Sequence, residues 1–137
     1  MINNLKLRIK NEVLTYIPNS SGMTIRVIEI DQGFSELEFD NKPNTPSVAW
    51  YYPYTVLVTY PTGNMGENDR IALDNATNDY RLAISEQMAK KVPISIDNET
   101  GEFVKLTDIN SFQRILDEQL RLYVFTINLQ YKHIETY

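Results

Sequence analysis

The side chains that could carry chemistry in this 137-residue chain are few and widely separated. Its single histidine, His133, stands with no serine or cysteine nucleophile that a motif would place beside it, so a nucleophile–histidine–acid triad has no signature. One histidine and no cysteine cannot assemble the usual zinc ligand sets within one chain. Glu36 and Glu38 project from one strand face, and paired carboxylates can do acid and base work only where one is desolvated enough to raise its pKa. Beside the glycine at Gly33 both are expected to be solvated. Asn64, Glu67, Asn68 and Asp69 offer oxygen ligands, but without the 12-residue calcium-loop spacing and its terminal glutamate. TGNMGEND lacks the lysine and hydroxyl of a phosphate-binding loop. Trp50, Tyr51, Tyr52 and Tyr54 could stack bases, yet no Lys or Arg lies between Lys42 and Arg70 to form a basic groove. These residues predict no catalytic site, no cofactor and no metal.

Composition narrows the class further. Thirteen basic against eighteen acidic side chains leave a net charge of −5, which opposes tight binding to a phosphate backbone. The absence of cysteine excludes a disulfide framework and leaves burial and hydrogen bonding to hold the fold. No apolar run approaches the roughly 18 residues of a membrane span, and MINNLKLRIKNEV has charges where a signal peptide has its apolar centre. A soluble protein that stays where it is made is expected. The length suits one domain over residues 1–137.

The elements follow from periodicity. Ile2, Leu5, Ile9, Val13 and Tyr16 or Ile17 recur at helical spacing, so residues 2–17 predict an amphipathic helix ended by Pro18. Lys6, Arg8 and Lys10 form a small basic cluster on it, read as a solvated face. Met23 to Ile30 and Phe34 to Phe39 predict a hairpin closed by Asp31, Gln32 and Gly33. DNKPNTP (40–46) is a polar loop. Ser47 to Tyr60 then alternates strictly, with Val48, Trp50, Tyr52, Tyr54, Val56, Val58 and Tyr60 on one face, and predicts a long strand. Pro53 within it cannot donate a ladder hydrogen bond, so it must fall at an edge or a bulge; the unbroken parity favours an edge, or a first half that projects beyond its neighbour. Pro61 to Arg70 predicts a flexible excursion, and residues 74–91 a second helix ending at Lys90, Lys91 and Pro93. A second hairpin is expected around NETG (98–101), and Ile109, Phe112, Ile115, Leu116 and Leu120 predict a short third helix over 107–120. Tyr123, Phe125, Ile127, Leu129 and Tyr131 share one face of a final strand. Such clean alternation predicts an α+β fold, mainly an antiparallel β-sheet packed on one face by two or three helices.

What remains for function is surface: half-exposed tyrosine, polar loops and a strand edge suited to another subunit. The arrangement carried by INNLKLRIKNEVLTYI, TPSVAWYYPYTVLVTY and RLYVFTINLQYKH resembles the small neck proteins of tailed bacteriophages, above all the tail terminator or tail-completion family. The resemblance implies a non-enzymatic virion subunit, made in the host cytoplasm. Its copies would form a ring, commonly a hexamer, that ends the tail tube and joins it to the head. Its partners would be its own copies, the tail tube and connector proteins, with DNA passing through the lumen without sequence-specific binding and no membrane involved. On this reading Tyr51, Pro53, Gly63, Asn64, Met65 and Glu67 are the expected inter-subunit contacts. Two alternatives stay open: a head–tail adaptor ring of other stoichiometry, and a cytoplasmic ligand-binding α+β domain.

Overall fold

Leu5, Ile9, Val13 and Ile17 of the N-terminal repeat turn to one side. In the computed structural model, which describes residues 2–17, 23–30, 34–39, 46–63, 65–97 and 102–136, Ile2–Tyr16 is helix α1, and its Leu5, Ile9 and Val13, with Ile17 just beyond, are fully buried. Thr24–Glu29 (β1), Phe34–Phe39 (β2) and Pro46–Pro61 (β3) follow, then Glu67–Ala89 (α2), Ile94–Asp97 (β4), Glu102–Asp117 (β5) and Leu122–Thr136 (β6). The strands form one antiparallel sheet in the order β1-β3-β6-β5-β4, with β2 also on β3. The α+β class and the antiparallel sheet are as the alternation predicts.

The centre of the sheet is the long pairing of β3 with β6, in register from Ser47↔Thr136 to Pro61↔Leu122. Tyr54, Val56 and Val58 of β3 meet Tyr123, Phe125, Ile127, Leu129 and Tyr131 of β6 in the core, with Leu73, Tyr80 and Ile84 of α2. Edge-on ring contacts tie the layers together: Tyr80 lies 6.0 Å from Phe125, and Phe112 lies 5.3 Å from the same ring. Both outer strands, β1 and β4, touch α1. A flat five-stranded sheet would hold its edges about 19 Å apart, too far for one helix about 10 Å across to reach both. The sheet therefore curls around α1.

Three expectations are corrected. First, β1 and β2 do not pair with each other as a hairpin. Both pair with β3 and lie end to end along its length, β1 against 59–54 and β2 against 51–46. The expected turn at 31–33 and the polar loop at 40–45 lie outside the described residues. Second, β3 is an internal strand, so Pro53 is not at an edge. The Pro53 carbonyl accepts a hydrogen bond from the Ile30 N–H at 3.1 Å, and an antiparallel residue turns its N and C=O to the same neighbour. The missing donor thus faces the gap in pairing between β1, which ends opposite Tyr54, and β2, which begins opposite Tyr51. The irregularity that proline demands sits in the neighbouring strand, and β3 keeps its parity.

Third, residues 107–117 are strand, not helix. Two bulges interrupt β5: one extra residue at Thr107, between Leu106↔Tyr131 and Asp108↔Gln130, and another at 111–112, between Asn110↔Asn128 and Gln113↔Thr126. Each shifts the alternation by one, so the core-facing positions become Leu106, Ile109, Phe112 and Leu116, at intervals of three and four. A bulged strand has imitated a helix. Residues 118–121 then form the turn into β6, with the Asp117 carboxylate accepting the Leu120 N–H at 2.9 Å and Arg121 taking a positive φ of 52° where glycine is usual. The second hairpin stands as expected in its strands β4 and β5; its NETG turn lies outside the described residues.

Candidate functional site

The residues expected at a subunit contact fall into two patches, one in the middle of β3 and one beyond its C-terminal end. Tyr51 is half-buried on the sheet face away from the helices, with the Lys132 ammonium 5.7 Å from its ring centre. Pro53 is half-buried one step on, opposite the β1–β2 interruption. Gly63, Met65 and Glu67 lie beyond the C-terminal end of the strand, which Pro61 marks, about 26 Å of extended chain from Pro53 and about 33 Å from Tyr51. The structure does not bring the two groups together, and Asn64 lies outside the described residues.

The expected excursion at 61–70 is mostly ordered structure. Pro61 completes β3, the Thr62 N–H donates to the Arg121 carbonyl at 2.8 Å, and Glu67 to Arg70 already form the first turn of α2. That helix starts at Glu67, seven residues before the expected 74, because Gly66 is its N-cap, and the Asp69 carboxylate reaches back to accept the Gly66 N–H at 3.1 Å. Glu67 and Asp69 also suit the positive end of the helix.

Met65, half-buried, divides two clefts. On one side Gly63, Glu67 and Arg70 face Leu116 near the end of β5 and Glu118 and Arg121 of the β5–β6 turn across a cleft of about 520 Å³. On the other, Tyr16 from the end of α1, Tyr60 from β3 and Met65, Leu73 and Ala76 line a more apolar groove of about 620 Å³, with Asp69 and Asp79 on its rim. Among the described residues no lysine or arginine lines this groove. Neither family models nor curated proteins give a match to this chain. The surface must therefore be read from its own chemistry.

Sequence reasoning missed a polar cluster between α2, β5 and β6. Tyr123 donates to Asp74 Oδ1 at 2.7 Å, and Arg114 donates to the Asp74 carbonyl at 3.1 Å, which also accepts Thr77 Oγ1 at 2.9 Å. The Arg81 and Arg114 guanidinium carbons lie 4.9 and 5.5 Å from the centre of the Phe112 ring. Desolvation first, and the hydrogen bond to Asp74 second, push the Tyr123 phenol up to about 12. These contacts hold α2 to the sheet. Their only sequence signal is that Arg114 occupies a core-side position once the β5 bulges are placed.

The other polar side chains are scattered. Glu29 lies opposite Tyr54 on the helix side of the sheet, 3.8 Å from the Lys6 ammonium, so one member of the expected solvated basic cluster is half-buried and paired. Burial, then the nearby Glu29 carboxylate, raises the Tyr54 phenol above its ordinary range. Burial also raises Glu12, against the opposing pull of Arg8. Trp50 and His133 are register partners. Among the described residues no group of three or more His, Asp or Glu could hold a metal ion, and no helix is long and apolar enough to cross a membrane.

Proposed function

We propose that this protein is a structural subunit of the tailed-phage neck: a ring of identical copies that ends the tail tube and joins it to the head. The observation that carries the reading is the open face of the curled sheet. Both helices lie on one side, while Tyr51, Leu57, Ile115 and Val124 stand on the other with no covering element among the described residues. Ile115 is 51% exposed there. A half-apolar sheet face bearing an aromatic is the kind of surface that a neighbouring subunit buries. The residue types support a binding role over chemistry, and a negatively charged lumen would let DNA slide without trapping it.

Light scattering and negative-stain imaging of the full chain over a wide concentration range test the proposal. Rings are expected, six copies of 15.9 kDa each being favoured. Rings of another order would support the adaptor alternative. The apolar groove beside Met65 favours a second reading, a ligand-binding domain. A chain that stays monomeric at all concentrations, and is stabilised against heat by a small molecule, would replace the ring reading with that one.

A further inference from the structure

The groove beside Met65 and the far end of α2 are complementary. The groove has an apolar floor and two carboxylates on its rim, Asp69 and Asp79, both on exposed residues. One Asp69 oxygen accepts the Gly66 N–H, which ties that carboxylate to the helix start, and Asp79 stands about 15 Å further along the helix. At the other end of the helix, the chain turns sharply at Lys90, Lys91, Val92 and Pro93, all exposed, and Val92 is a 40%-exposed apolar side chain behind two cations. Lys90 is engaged by Glu86, one helical turn back.

Lys91 is the unexpected residue. The helix ends in a reverse turn in which the Val92 N–H donates to the Gln87 carbonyl at 3.2 Å and the Lys91 N–H to the Met88 carbonyl at 3.1 Å. This pattern requires a left-handed residue at Lys91, whose φ is 53°. Glycine takes that conformation without steric cost and is the usual occupant. Here a long cationic side chain stands in its place, and it projects from the corner beside Val92. Strain kept at one point of a surface points to a use for the side chain that causes it.

We propose that the corner Lys91–Val92–Pro93 of one copy seats in the groove of the next, with the Lys91 ammonium against the Asp79 carboxylate and Val92 on the apolar floor. The inference rests on the ring reading and adds to the open sheet face one head-to-tail contact between neighbouring copies. From Asp79 to Lys91 is about 18 Å along the helix axis at the usual rise, so the two surfaces cannot meet within one copy. A contact between two different patches is head-to-tail, the type that closes into rings when its rotation allows.

Self-association of the full chain, measured by sedimentation at low and high salt, decides the matter for the wild type, Asp79→Lys, Lys91→Asp, the double exchange and Lys91→Gly. Each single reversal is expected to weaken association by about tenfold or more, with the double exchange restoring most of it. High salt should weaken the wild-type contact. Lys91→Gly is expected to raise the unfolding temperature, because the backbone strain is relieved, while association falls. A merely structural lysine would not separate those two readouts. If the wild type assembles and the single reversals assemble equally well, or the double exchange restores nothing, this contact is wrong and the ring reading survives. If the wild type remains monomeric throughout, both are overturned.

Discussion

Ser111 offers a test of the fold in which the sign of the effect, rather than its size, decides. It is an exposed residue in mid-strand with φ 56°, at the second bulge of β5. A left-handed conformation costs an L-residue about 1–2 kcal/mol. Glycine escapes that cost but loses about 0.5–1 kcal/mol more than other residues through chain entropy. Ser111→Gly should therefore stabilise the protein by roughly 0.5–1 kcal/mol, the difference of those terms. Ser111→Ala should be neutral or slightly worse than serine, since alanine keeps the Cβ and loses the local hydrogen-bonding hydroxyl. Ser111→Val should be worst, because a branched Cβ crowds the left-handed region. A helix through this segment, which the apolar spacing suggests, orders the variants the other way, with alanine above glycine by about 1 kcal/mol. Urea unfolding at constant slope separates the two. With a slope of about 1–3 kcal/mol per molar, the glycine variant should move the midpoint upward by a few tenths of a molar. A rank of alanine, serine, glycine from most to least stable would refute the bulge and the register built on it.

Two further outcomes follow from the buried polar groups and the helix cap. Burial raises the phenols of Tyr54, Tyr80, Tyr123 and Tyr131 above the ordinary value of 10.0. The folded state thus favours the protonated forms: their contribution is intact below pH 10 and is lost as pH rises through about 12 for Tyr123. Denaturation curves at stepwise higher pH should show the decline, with Tyr123→Phe reducing its steepness, and a flat profile would contradict the assignment. Asp69→Ala removes the acceptor of the Gly66 N–H and should cost about 1 kcal/mol. Amide exchange over Glu67 to Arg70 should quicken, and protection equal to wild type would show that the cap does not hold this turn.

The parts of the fold legible in the amino-acid order are those where one period runs unbroken. α1 reads directly from Leu5, Ile9 and Val13, and β3 and β6 from their strict alternation. β5 was misleading because Thr107 and Ser111–Phe112 each reset its phase, turning a two-residue repeat into steps of three. The partner of β1 was hidden for a different reason: a short loop between two strands suggests a hairpin, whereas both strands have a better partner in β3, further along the chain. The start of α2 was obscured by polar residues that look like loop until Asp69 is recognised as a cap for Gly66. The candidate surface was legible only in pieces. Met65, Gly63 and Glu67 do line clefts, but the groove is made where Tyr16, Tyr60 and the 69–79 stretch of α2 converge, and no local pattern joins positions so far apart. Lys91 was readable as a helix-end cation, while its left-handed backbone was not.

The pairing of β3 with β6 also sets the order in which the molecule can be made. Residues 47–61 and 122–136 are direct neighbours in the sheet, yet some sixty residues are synthesised between them. A growing chain that has reached the β5–β6 turn has β3 and β5 but not the strand that lies between them. Its largest apolar surfaces wait, exposed, for the arrival of β6, and the long loop this pairing closes slows the step further. The two halves of the sheet, β1-β3 with β2 and β5-β4, can pair within themselves earlier, but they join only when β6 has emerged from the ribosome.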